Sequence, residues 1–205
     1  MVHLSPHGHY FSKKVIRKKK EYGLRENLFG IELEFVTAAG IFSPRHIDLG
    51  SLTLTSYMQL IKDSKVLDLG CGYGVIGITA AKLCPSCKVV MVDINERAVA
   101  CAKENVRINN VVNATAKQSF MFSSLKDEMF DTILLNPPIS ADMDVCYEMI
   151  KKSSEHLKEN GTLQLVARNR KGGSRLMECM KETFGNVEVL GRKGGFWVYC
   201  STKRI

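Results

Sequence analysis

The chain has 205 residues, 45% apolar and 24% charged, with a formal net charge of +8. That length suits one domain with a sizeable core. No apolar stretch reaches the ~20 residues that a membrane helix needs, and the opening Met-Val-His-Leu-Ser-Pro-His lacks the apolar segment of a secretion signal, so a cytoplasmic protein with no membrane partner is expected.

Residues 1–27 read as a basic arm, and 28–205 as one folded domain. Residues 1–30 carry seven basic and two acidic side chains, most of the excess coming from Lys13, Lys14, Arg17, Lys18, Lys19 and Lys20. Leu28–Val36 alternates apolar and polar residues, the pattern of a strand or short hairpin. From Lys65 onward strand and helix patterns take turns. Strands are predicted at 65–69, 88–93, 112–117, 130–135, 162–167, 187–190 and 196–200, and helices at 75–84, 95–108, 142–158 and 173–184. Apolar strands separated by such helices imply βαβ units and a mainly parallel sheet covered on both faces. Only a Gly-rich turn (Gly191, Gly194, Gly195) separates the last two strands, which predicts an antiparallel hairpin at one edge.

Seven cysteines, at 71, 84, 87, 101, 146, 179 and 200, are an odd number in a chain without a secretion signal, which predicts reduced thiols. Cys84-x-x-Cys87 lacks a second pair at ligand spacing, so no metal site is expected. A second basic cluster, Arg168 to Arg175, contains Arg168, Arg170, Lys171 and Arg175 and no acid. Two such clusters on a basic chain favour a polyanionic partner, nucleic acid above all.

A sheet of this class binds its ligand at the carboxyl ends of its strands. The first such end reads Val66-Leu-Asp-Leu-Gly-Cys-Gly-Tyr-Gly-Val-Ile-Gly77. Gly70, Gly72 and Gly74 permit a tight turn with a ligand close against the backbone. Asp68, two residues before the first glycine, would repel a pyrophosphate and suits a ligand carrying an ammonium group. Asp93 ends the second strand, where a carboxylate can accept from both ribose hydroxyls. Acid, glycine loop and second acid describe S-adenosylmethionine better than a dinucleotide. A third strand end reads Ile133-Leu-Leu-Asn-Pro-Pro-Ile139. Pro137 and Pro138 must end the strand and restrict Asn136 to an extended backbone, which places a stiffened amide at the mouth of a buried strand.

Asp68-Leu-Gly-Cys-Gly-Tyr-Gly with Asp93-Ile-Asn resembles the class I S-adenosylmethionine-dependent methyltransferases, and Asn136-Pro137-Pro138-Ile139 matches members that methylate amino groups. More narrowly, the chain resembles the ribosomal RNA small-subunit methyltransferase C family, which makes N2-methylguanine, and its short archaeal-type members. Phe42-Ser43, Asp48-x-Gly50-Ser51, Asp93 to Ala98, Asn-Pro-Pro, and the late Phe-Gly-Asn-Val-Glu and Lys-Gly-Gly carry this likeness over roughly residues 25–200.

The resemblance implies a seven-stranded Rossmann-like sheet with a reversed last strand. It also implies cofactor contacts from Asp68, Gly70, Cys71, Gly72, Gly74, Asp93, Ile94, Ser119, Phe120 and Asn136. Phe120 stands where relatives carry an acid for the adenine amino group, so Phe120 is expected to stack on adenine, or Gln118 or Ser119 to bond to it. Asn136, Pro137, Pro138 and Ile139 are the expected catalytic turn: the Asn136 oxygen and the Pro137 carbonyl would accept from the two N–H groups of an exocyclic amine. Phe42, Ser43, Lys18, Arg168, Arg170 and Lys171 are the expected RNA contacts, on a target that is single-stranded or flipped out. The same chemistry on adenine N6 in RNA or DNA, on tRNA or on a protein glutamine stays open, as does a non-catalytic RNA-binding module.

Overall fold

Seven strands in the order β5-β4-β3-β6-β7-β9-β8 form the central sheet of the computed structural model, which describes residues 21–139 and 142–204. They are β3 (Lys65–Leu69), β4 (Lys88–Asp93), β5 (Ala114–Gln118), β6 (Phe130–Leu135), β7 (Leu157–Arg168), β8 (Glu188–Lys193) and β9 (Phe196–Thr202). Neighbours pair in parallel from β5 through β7, whereas β9 is antiparallel to both β7 and β8. The final hairpin thus sits at the edge as the Gly-rich turn predicts, with the reversed strand inserted inside β8. This is the Rossmann-like seven-stranded sheet.

Alternation along each strand divides the core in two. Val66, Met91, Leu134 and Val198 face a layer made by α1 (Leu49–Tyr57), α2 (Val75–Leu83), α3 (Glu96–Ile108) and a separate hairpin. Leu67, Leu69, Ile133, Leu135 and Leu165 face α4 (Met143–His156) and α5 (Ser174–Phe184). Burial on both faces is why these strands are nearly continuous apolar runs.

The separate hairpin pairs β1 (Glu21–Leu28) with β2 (Ile31–Ala38) in full register. It begins seven residues earlier than the sequence pattern suggests, so residues 21–27 of the expected arm are strand. Tyr22, Leu24 and Leu28 do alternate with polar neighbours, but the preceding run of cations masks the signal. Lys18 and the other arm lysines lie outside the described residues. The free edge of β2 is met by side chains of α3 and its C-cap residue. Asn105 accepts from Val36 N–H (2.7 Å) and donates to its carbonyl (2.9 Å), and Asn109 does the same for Glu34 (3.0 and 2.7 Å). Two asparagines one helical turn apart thereby stand in for a third strand.

One helix, α1, was not expected. Its Gly50, Thr53 and Thr55 are poor helix formers, but Asp48 caps it by accepting from Ser51 N–H at 2.9 Å. Between α2 and β4, the Cys84 and Cys87 sulfurs are joined as a disulfide, which corrects the expectation of reduced thiols at these two positions, while Cys71, Cys101, Cys146, Cys179 and Cys200 are free. The turn brings the Cα atoms of the bridged pair to 5.3 Å, within the reach of a bridge.

Candidate active site

The carboxyl ends of β3, β4, β5, β6 and β7 open into a cavity of about 1080 Å³, above the usual range for a single small ligand. Gly70 and Gly72 form its floor at positive φ (+76° and +55°). A Cβ at Gly72 would meet nothing within 4 Å, and one at Gly70 only Met149 Cε at 3.8 Å. The open space over this backbone is therefore cavity that a ligand can fill. Gly74 (φ +96°) caps α2 instead and is not part of the wall.

Asp93 stands on the wall with its carboxylate already oriented. Oδ2 accepts from Gly72 N–H and Oδ1 from Asn95 N–H, both at 2.8 Å. Each oxygen keeps a lone pair for a pair of vicinal hydroxyls. Ile94 and Phe120 are 61% and 53% exposed, and with Phe42 (67%) they are large apolar side chains left bare on the cavity wall. A planar apolar ring between Ile94 and Phe120 would cover surface that the fold leaves wet. At the β5 end, Ser119 Oγ donates to the Met121 carbonyl (2.8 Å) and accepts from Ser124 N–H, while Gln118 lies off the wall with its Nε2 donating to the Ile94 carbonyl. Of the three residues weighed for the adenine, Phe120 is the one the geometry presents.

Asp68 lies one layer deeper than expected. Alternation turns it to the α2 face of β3, where Oδ2 accepts from Gly77 N–H at 2.8 Å and Oδ1 has no partner among the described residues. It is fully buried and off the cavity wall. A Cβ at Gly77 would come within 3.0 Å of this carboxylate and 2.5 Å of Met91, so only glycine lets α2 seat here. Burial pushes the Asp68 carboxyl up to about 7; the Gly77 hydrogen bond opposes the rise and the Asp93 charge adds to it. The deep carboxylate thus pins the start of α2 through Gly77 and, when ionised, puts negative charge beneath the loop. Burial likewise drives the Cys71 thiol well above its ordinary range, leaving it an inert part of the wall.

At the far end of the cavity Asn136 Nδ2 donates to Asp48 Oδ2 (2.8 Å) and Ser51 Oγ (3.0 Å). A carboxylate accepts and cannot donate, so the amide has one permissible orientation, with Oδ1 turned away from Asp48. The reverse would set two oxygens 2.8 Å apart. Gly50 makes room for this contact, since a Cβ there would lie 2.8 Å from the Asp48 carboxylate and 3.3 Å from Asn136 Nδ2. The Pro137 carbonyl accepts from Ile139 N–H at 2.9 Å, which fixes the turn and leaves the second lone pair. Asp48 was legible as a motif position but not as the residue that orients the amide.

Arg168 and Lys171 reach the cavity with Arg175, which the sequence reading did not assign to the site. Arg168 stacks on Phe196, another unexpected wall residue, at 4.6 Å. Arg170 is exposed but off the wall, and Ser43 is spent on the His46 carbonyl (2.6 Å) while its neighbour Phe42 faces the cavity.

Three comparisons bear on this geometry. A 34% identical relative, "Uncharacterized protein YbxB" of Bacillus subtilis, aligns over 95% of this chain and 98% of its own length. The ribosomal RNA small subunit methyltransferase C of Erwinia tasmaniensis is 32% identical over 84% of this chain, and this chain spans only 50% of that protein. Among solved structures, the T. thermophilus 16S rRNA N2 G1207 methyltransferase (RsmC), in complex with AdoMet and guanosine, superposes with a TM-score of 0.82 at 25% identity, covering 90% of this chain and 51% of that one. The chain therefore spans about half the length of the ribosomal RNA methyltransferases it matches. The family profile matches residues 32–200, from β2 through β9, and the chain belongs to the methyltransferase small domain family.

Proposed function

We propose that this chain is a cytoplasmic S-adenosylmethionine-dependent RNA methyltransferase, acting on guanine N2 in small-subunit ribosomal RNA. The observation that carries the reading is the locked Asn136 amide, whose oxygen is presented in the same cavity as the glycine floor and Asp93. The relatives named ribosomal RNA small subunit methyltransferase C, and the neighbour holding AdoMet and guanosine, support the choice of cofactor and base.

When bound, S-adenosylmethionine supplies a methyl group on a positively charged sulfur. The residues of the chain do the rest. Gly70 and Gly72 give the cofactor room, Asp93 accepts from its ribose hydroxyls, and Ile94 and Phe120 flank its adenine. An exocyclic amine on a base is a weak nucleophile because its lone pair is delocalised into the ring. Asn136 Oδ1 and the Pro137 carbonyl accept from its two N–H groups, which returns electron density to the nitrogen and fixes its direction. Ile139 adds an apolar contact. Asp48 and Ser51 hold the amide, and the nitrogen sheds its extra proton to water once methylated, so no strong base is needed at the acceptor.

Incubation with labelled cofactor and undermethylated small-subunit RNA should give N2-methylguanosine on nucleoside mass spectrometry. N6-methyladenosine, or label confined to tRNA or protein, would replace this substrate assignment, and a lack of transfer to any acceptor would favour a binding module.

The buried Asp68 gives a further expectation. A cationic ligand over the loop favours the ionised carboxylate, so its binding should expel a proton from Asp68 near pH 7. Cofactor affinity should rise from pH 6 to pH 8, with proton release measurable by calorimetry in buffers of different ionisation enthalpy. An Asp68→Asn variant should bind more weakly and lose that share of the proton release. Equal proton release in both proteins would place the titrating group elsewhere.

A further inference from the structure

The tetrapeptide Arg-Lys-Gly-Gly occurs twice, at 170–173 and 192–195. The fold brings both copies to one end of the sheet. The first follows β7, and the second turns β8 into β9, the strand that pairs with β7. Asn169 N–H donates to the Gly195 carbonyl at 3.1 Å, so the two turns are joined directly. Positive φ at Gly172 (+99°), Gly194 (+57°) and Gly195 (+80°) lets both chains reverse tightly at this point.

Together with Arg168 and Arg175, the turns expose six cations: Arg168, Arg170, Lys171, Arg175, Arg192 and Lys193. Among the described residues none of the six has a carboxylate within 4.0 Å, whereas lysines elsewhere on the sheet (Lys65, Lys117, Lys158) are paired. Crowding six like charges without counter-charge costs the folded state free energy. Two of the guanidiniums sit over aromatic rings, Arg168 over Phe196 at 4.6 Å and Arg192 over Trp197 at 3.8 Å. A ring face satisfies a guanidinium without using its N–H donors, which stay available for bidentate phosphate contacts.

The turns also bracket the acceptor end of the cavity. A Cβ on Gly172 would sit 3.0 Å from Ile139 and 2.7 Å from Met143, and one on Gly194 would sit 2.8 Å from Leu49. One turn therefore rests against the Asn-Pro-Pro-Ile segment and the other against the residue next to Asp48. We infer that the paired Arg-Lys-Gly-Gly turns form a single phosphate-binding surface, holding the RNA backbone on both sides of the nucleotide that enters the cavity. The inference rests on the RNA reading above, and it assigns the second turn, Arg192 to Gly195, to the substrate surface. Phosphates are repeated along a polynucleotide, which is what cations spread over two joined turns match and a single free anion does not.

The test uses the full chain and an unmethylated small-subunit RNA transcript, with affinity measured against salt. Arg170→Ala with Lys171→Ala should flatten the log–log salt slope by roughly 1.4–1.8, at about 0.7–0.9 per phosphate contact, and Arg192→Ala with Lys193→Ala should do the same. The four substitutions together should remove about 3. Cofactor affinity should stay within twofold in all of them, showing the fold intact, and the charge-preserving pair Arg192→Lys with Lys193→Arg should keep the wild-type slope. If the second-turn variant binds RNA with wild-type affinity and slope, the shared surface is overturned, while N2-methylguanosine from the wild-type protein would leave the functional reading standing. If the wild-type protein neither binds nor methylates the transcript, the functional reading fails and this inference with it.

Discussion

Replacing Asn136 with alanine is expected to slow methyl transfer by about 10²–10³-fold while cofactor affinity stays within a few-fold. The amide serves the acceptor base, and removing one preorganised polar contact to a transition state has about that effect. The proposed cofactor contacts lie on other strand ends, at Gly70–Gly72 of the β3 loop and at Asp93 of β4. The geometry adds a sharper variant. Asp48→Asn keeps size and the capping oxygen for Ser51 N–H but gives position 48 both a donor and an acceptor. Asn136 then loses its fixed orientation, and its Nδ2 can turn toward the substrate in place of Oδ1. Turnover should fall by at least about tenfold, the effect of losing a charge-assisted hydrogen bond of roughly 1.5–3 kcal/mol. Thermal stability should change little by comparison. Single-turnover rates with saturating cofactor test both variants. Near-normal turnover in Asn136→Ala would reduce the Asn-Pro-Pro turn to a strand terminator.

Which parts of this site the sequence discloses follows a physical pattern. β3, β4 and β6 were legible to the residue, because strands buried on both faces need unbroken apolar runs and their ends are marked by Gly, Asp or Pro. The glycine floor, Asp93 and Asn136 were legible for the same reason: they are strand-end residues, and strand ends are where this sheet binds. Asp68, expected beside a ligand's ammonium group, shares the face of its period-2 partner Val66, which packs toward α2, and that alternation argues for the buried position. Ser119 does line the cavity, but how its hydroxyl is used was not legible. Its hydroxyl is consumed by the Met121 carbonyl, and no spacing rule reports which acceptor a loop offers. Asp48, Arg175 and Phe196 reach the cavity from three distant segments, and that convergence belongs to the tertiary fold. The Arg-Lys-Gly-Gly repeat is plain in the sequence, but its meaning depends on β9 returning beside β7.

Asn105→Ala is expected to be the most destabilising of these substitutions, by at least about 3 kcal/mol. The side chain is fully buried, and it accepts from Val36 N–H while donating to the carbonyls of Val36 (2.9 Å) and Tyr73 (2.8 Å). Alanine leaves three backbone groups without partners, each costing about 1–3 kcal/mol when kept from water. For a domain of this size the midpoint should drop by at least roughly 6–12 °C, at about 2–4 °C per kcal/mol. Asn105→Asp should not rescue it, because a carboxylate keeps the Val36 N–H contact and sets a buried charge against two carbonyl oxygens. Asn109→Ala should be milder, since that residue sits near the open end of β2. The loss should reach the active site as well. Val36 belongs to the strand that leads into Phe42 and Asp48, and Tyr73 belongs to the glycine loop, so Asn105 ties the acceptor side of the cavity to its cofactor side. Calorimetric unfolding and cofactor titration on the same variant separate the two effects. A midpoint within about 3 °C of wild type would mean that water replaces the asparagine and that the hairpin is held by its apolar face, Leu33 and Phe35, alone.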